Sequence, residues 1–204
     1  MPWLRLPLAS LLAVALIGPA AAAELPPERP TTPYRAKVRH RHVLVKPDGD
    51  RSGADTLVIR VAGPLLYQAS QQLGAKTVIV DTRSRQILEF DPDDARKVAA
   101  RLPQNDAPIP YVDGRAAIVA IDPAWGEPRI AGADRVARRA CTVLEFGDPE
   151  ADGARACVSK EGVVLRLRLV WPGYERAFEV LDFAPGPQGG KWFRPPRGFA
   201  IVDG

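Results

Sequence analysis

Few residues in this chain could do chemistry, and their spacing narrows what they could do. There are two cysteines, Cys141 and Cys157, equidistant from Pro149 inside the turn cluster 147–153 (GDPEADG). A hairpin centred on Pro149 places their Cβ atoms opposite each other, within reach of a disulfide. A metal or redox pair would want CxxC spacing or neighbouring histidines, so in an oxidising compartment this pair predicts a structural cross-strand bridge. The two histidines, His40 and His42, stand at i and i+2, which on a strand points both the same way. Two metal ligands could arise like that. Arg39 and Arg41 flank them, however, and no Cys or carboxylate lies close in sequence to complete a site, so two solvent-exposed histidines and no metal are expected.

The same scarcity bears on catalysis. A Ser-His-Asp triad would have to use His40 or His42, and the chain has no GxSxG elbow, P-loop, GxGxxG or HExxH pattern. Of the carboxylate clusters, 91–94 reads as a helix cap and 148–152 as a hairpin turn. The Asp-x-Asp-x-Asp-Gly loop of a calcium hand is missing. No catalytic residue and no cofactor is expected.

The elements that would position these residues belong to an ordinary globular chain. It has 204 residues, 46% hydrophobic and 25% charged, which excludes wholesale disorder and a disulfide-dense miniprotein. The net charge is +4, but the 22 Arg are scattered among carboxylates rather than massed in a stripe, so a nucleic-acid partner is not expected. Residues 1–23 carry a basic Arg5, an apolar run over 8–17 and small residues Ala21-Ala22-Ala23. That is the three-part pattern of a cleaved secretory signal, implying a periplasmic or secreted protein. No later run approaches ~18 apolar residues, so the mature chain is not expected to span a membrane.

Residues 24–33 (ELPPERPTTP) predict a Pro-rich extended leader, and 34–204 one β-rich domain. Strands are predicted at 38–45, 55–62, 76–81, 86–90, 136–146, 154–160, 163–171 and 174–183, and an Asp-Gly turn at 46–50. If Pro172-Gly173 is a tight turn, Leu165 faces Val180 and Leu167 faces Phe178 on one side of a sheet. Arg166 then faces Glu179 on the other, as a half-wetted sheet requires. One helix is predicted over 91–102, with Asp91 as N-cap, Pro92 at its first position and Pro103 as its stop. The stretch 103–128 reads as a long irregular connection with a strand at 116–121.

Two stretches resemble the periplasmic outer-membrane lipoprotein carriers (LolA/LolB-like lipoprotein-sorting proteins). Residues 78–94 (VIVDTRSRQILEFDPDD) are similar to the family's strand, turn, strand and aromatic residue before Asp-Pro. Residues 192–203 (WFRPPRGFAIVD) are similar to its closing Phe-x-x-Pro-Pro-x-Gly segment. Residues 136–169 also resemble the Cys-containing hairpin of related exported domains of unknown function. The resemblance implies a mainly β protein. Its fold would be an eleven-stranded, incomplete antiparallel β-barrel (a half-barrel), with one or a few short helices covering a concave face that accepts acyl chains. Pro26, Pro27, Pro30 and Pro33 exclude the long helix with which such carriers begin.

The expected function is therefore binding of a lipid or lipoprotein acyl chain by apolar burial. The alternative is a cell-envelope protein-interaction or structural module with a filled core; a hydrolase is the third and least favoured reading, for want of any catalytic constellation. One helix is little cover for so many strands, which predicts an apolar concavity. Its expected lining is Val78, Val80, Leu88, Phe90, Leu165, Leu167, Leu169, Phe178 and Val180.

Overall fold

The computed structural model describes residues 24–44, 51–70, 76–105 and 107–204. The signal-like segment and the 46–50 turn expected from the sequence lie outside the described residues. The fold is mainly β. β1 (Tyr34–Leu44), β2 (Arg51–Ala62), β3 (Leu65–Ser70), β4 (Thr77–Asp81), β5 (Gln86–Phe90) and β6 (Val98–Pro103) come first. Two short helices come next, α1 (Pro110–Asp113) and α2 (Arg115–Ile121). The remaining strands are β7 (Arg129–Val136), β8 (Arg139–Asp148), β9 (Asp152–Ser159), β10 (Val164–Trp171), β11 (Tyr174–Pro185) and β12 (Ala200–Asp203). All twelve strands join one sheet in the order β12-β6-β5-β4-β3-β2-β1-β11-β10-β9-β8-β7. Neighbours are antiparallel except β12, which adds to β6 in parallel. β7 and β12 are the two edges, so the barrel is incomplete, and β12 takes the strand count one beyond the eleven implied.

Period-two alternation divides the faces. Tyr34, Ala36 and Val38 of β1 are buried, and so are Leu57, Ile59 and Val61 of β2. With Leu144, Phe146, Leu165, Leu167 and Val180 they build the main core on the concave side. On β10 and β11 the pairing is the one the tight turn at Pro172-Gly173 predicts, with Arg166 opposite Glu179 and Leu167 opposite Phe178. The outer face carries ion pairs: Arg166 holds Glu179 at 2.9 Å and Asp134 at 2.8 Å, and Arg168 holds Glu150 at 3.1 Å and Glu175 at 3.2 Å. A second, smaller cluster lies on this outer side, where Ile79, Phe90 and Ala99 are packed by Tyr67, Leu88, Phe193 and Phe199. The segment after β11 straps over it. Trp192 meets Tyr67 edge-on at 5.5 Å, and the Arg60 guanidinium lies 3.8 Å from the Trp192 ring centre.

Three local expectations are corrected. Residues 91–102 are not a helix. Asp91 does cap, accepting from the Asp93 N–H at 2.9 Å, but the chain then makes two tight turns, with Lys97 at φ 50°, and enters β6. Strand pairing on both sides, to β5 and β12, outweighs the modest helix preference of 98–102. Residues 116–121 are helical rather than extended. Three alanines among them favour the helix, and Ala117 and Ile118 are buried beneath it. The span 136–146 is divided, because Ala137 and Arg138 both take positive φ (48° and 63°) in a two-residue hairpin between β7 and β8.

The disulfide joins Cys141 and Cys157, their Cα atoms 5.4 Å apart. The register differs from the expected one by two residues: Cys141 faces Ser159, and Cys157 faces Val143. A slip of two preserves the face, so the sulfurs still meet. Replacing both cysteines by alanine should lower stability by about 2–4 kcal/mol. Urea unfolding of that variant, and of the parent with and without reductant, checks it; coincident curves would show that the bridge contributes nothing.

Candidate functional site

The concave face is covered by the chain between β6 and β7, and the cover is pinned by hydrogen bonds from opposite sides. Tyr34 on β1 donates its hydroxyl to the Tyr111 carbonyl at 2.8 Å, in a buried position. His40, further along the same face of β1, is hydrogen-bonded through Nε2 to the Tyr111 hydroxyl and stacks on Phe178 with ring centres 5.8 Å apart. Tyr111 itself packs against Phe178 at 4.8 Å. From the other side the leader braces the helices. The Pro26 carbonyl accepts from Arg115 Nε at 2.9 Å, and the Glu28 carbonyl accepts from the Ala116 N–H at 3.2 Å. Thr31 N–H donates to the Glu161 carbonyl at 2.9 Å, which ties the leader to the β9–β10 turn. Gly114 (φ +60°) and Gly162 (φ +79°) admit this close passage: a Cβ on either would collide with the Glu28 or the Arg29 carbonyl oxygen, respectively.

Between the cover and the sheet lies a cavity of about 560 Å³. Leu57, Leu66, Val80, Ile87, Leu167 and Leu169 supply its apolar sheet wall, and Ile109, Tyr111 and Ile121 its roof. His40, Asp55, Gln68, Gln104, Asn105 and Arg176 are its polar residues. The volume lies within the range of small-molecule sites, and a mostly apolar wall with a few polar groups is their usual make-up. Burial lowers the His40 pKa to about 4; Arg176 adds to the shift and Asp55 opposes it. His40 is therefore neutral near pH 7. Burial also raises the hydroxyl pKa values of Tyr34 and Tyr111, so both stay protonated.

The residues expected to line the concavity divide into three groups. Val80, Leu167, Leu169 and Phe178 lie in the cavity wall. Val78, Leu165 and Val180 belong to the surrounding core. Leu88 and Phe90 are on the opposite face, in the outer cluster, because β5 pairs Val80 with Ile87 and Ile79 with Leu88. His40 and His42 also separate: His42 is exposed, while His40 is half-buried and extends the row Tyr34-Ala36-Val38. That alternation was the available signal for His40. Nothing in the irregular stretch 104–111 marked Tyr111. Among the described residues, no group of three or more His, Cys, Asp or Glu could hold a metal ion.

No family model matches the chain, and no curated protein matches it. Solved structures do. An uncharacterized conserved protein from Thermus thermophilus is 12% identical over 85% of this chain and 91% of its own, with a TM-score of 0.52. A chain of the Pseudomonas aeruginosa MucA/MucB complex is 14% identical over 84% of this chain and 58% of its own, with a TM-score of 0.53. A LolA superfamily protein from Nitrosomonas europaea, NE2245, matches at 11% identity over 81% and 91%, with a TM-score of 0.39. At such identities the likeness is one of fold. An open antiparallel half-barrel with short helices on its concave side is the architecture that the sequence resemblance implied.

His40 also has a thermodynamic consequence. Its folded-state pKa lies below the ordinary 6.5, so the unfolded chain binds the proton more tightly. The stability it contributes is complete above pH 6.5 and is lost as pH falls towards 4, by up to roughly 3 kcal/mol. Denaturation of the parent and of His40→Gln across that window should show the parent losing more stability than the variant. Parallel pH profiles would contradict this.

Proposed function

We propose that this is an exported binding protein that holds a lipid, or the acyl chain of a lipoprotein, in the cavity between the half-barrel and its helical cover. The carrying observation is the cavity itself: about 560 Å³, walled largely by Leu, Ile and Val and roofed by a pinned but separate segment. Each methylene transferred into such a space contributes about 0.8 kcal/mol, so a chain can be retained without directional polar chemistry. His40, neutral and hydrogen-bonded to Tyr111, holds the cover over this space. Export is supported by the cross-strand disulfide, a feature of oxidising compartments, and by the signal-like first residues. Among the described residues no helix is long and apolar enough to cross a membrane.

A second reading, an envelope module that binds another protein, has its own support. A similar chain is found in the MucA/MucB complex, and β7 here is an exposed edge strand with one side of its backbone unpaired in the sheet. Edges of that kind accept an added strand.

The cavity reading is tested on periplasm-purified protein by lipid extraction with mass spectrometry and by titration with a fluorescent fatty acid. A co-purifying lipid and saturable binding are expected. Ile87→Trp, which fills the cavity from a half-buried wall position, should weaken binding by about tenfold or more, whereas Leu88→Ala on the opposite face should leave it unchanged. Protein that arrives empty and binds no fatty acid would overturn the proposal.

A further inference from the structure

A second cavity, of about 780 Å³, lies on the other side of the same cover. Its character is different. Arg29, Arg83 and Arg85 line it, and the carboxylate among its described lining residues is Asp113, 3.7 Å from Arg29 Nε. Arg83 is exposed on the β4–β5 turn, within electrostatic reach of Asp81. Ala116, Ala117 and Ala120 of α2 keep the opposite wall low. Gln104, Asn105, Ala107 and Pro108 line both cavities, so the apolar space and the basic one share a wall only a few residues wide. At that wall Gln104 Oε1 is buried and, among the described residues, has no hydrogen-bond partner. A buried acceptor left unpaired is costly, and turning the Gln104 amide towards the cavity would let a donor from a bound molecule satisfy it.

We propose that the cavity's ligand is an anionic amphiphile: its chain fills the apolar space, its junction presents an N–H or O–H to Gln104, and its anionic head lies between the guanidiniums of Arg29 and Arg83. The inference rests on the lipid-holding reading and adds to it the class of head group. Guanidinium suits carboxylate and phosphate alike, because its forked donors match either group's oxygens. A neutral head gains nothing comparable from these donors.

The test displaces a neutral fluorescent acyl probe with dodecanol, dodecanoate, dodecyl phosphate and N-dodecanoylglycine, which share one chain length. The anions should compete about tenfold better than dodecanol, and less so at high salt. N-dodecanoylglycine, with its amide N–H, should exceed dodecanoate. The order of phosphate and carboxylate then distinguishes a phospholipid-like from a fatty-acid-like source. Arg83→Glu should remove most of the anionic advantage and Arg83→Lys retain part of it. Arg197→Glu, the same charge change in the outer strap, should have no effect. Equal competition by dodecanol and the anions, or an anionic advantage indifferent to Arg83→Glu, would overturn the head-group inference while leaving the lipid-holding reading intact. No binding of any chain would overturn both.

Discussion

An open sheet that curls has an inner face of apolar side chains and too little of its own chain to cover it. Here the inner face draws on strands from β1 to β11, while the helical cover consists of four residues in α1 and seven in α2. A single apolar surface packed against so short a cover cannot be filled edge to edge, and the remaining space is the 560 Å³ cavity. The ligand-sized void therefore results from the ratio of sheet to helix. It must also be specified that the cover stays in place, because helices this short have little stability of their own.

That task falls to hydrogen bonds from both sides. Tyr34 and His40, on one face of β1, reach Tyr111 from within the barrel. The leader approaches from outside and offers carbonyls to Arg115 and Ala116. Proline suits this role: it has no N–H to satisfy, its φ is preset, and its carbonyl remains an acceptor. The long opening helix implied by the carrier resemblance would bury its carbonyls in its own hydrogen bonds. The extended leader leaves them for the cover, and the positive-φ glycines at 114 and 162 let the two chains touch.

Regular alternation was legible in the sequence, and irregular chain was not. The β10–β11 pairing could be derived because the two-residue turn sets the register and the Arg166–Glu179 pair agrees with it. The cysteine bridge was legible for a related reason: any register that differs by two keeps Cys141 and Cys157 on one side. Local signals misled where distant partners decide. Asp91-Pro92 has the makings of a helix start, yet β5 and β12 claim residues 98–103. Residues 116–121 mix β-branched with helix-favouring residues, and burial of Ala117 and Ile118 under a short helix decides the outcome. Leu88 and Phe90 were grouped with Val78 and Val80 on hydrophobicity alone; the hairpin register assigns them to the other face.

The same parity explains why one sheet can serve two purposes. On β4 and β5, Val80 and Ile87 face the cavity while Ile79 and Leu88 face the outer strap, so successive residues stabilise opposite sides. The outer cluster, clamped by Trp192, Phe193 and Phe199, anchors these strands without drawing on the inner face. With β3 to β6 held from outside, the inner wall need not be packed to completion for these strands to stay together. That separation is what allows a cavity to persist in a domain of this size, where a void in a single shared core would cost stability in proportion to its volume. The aromatic closing segment is thus a condition for the cavity, although it never touches it.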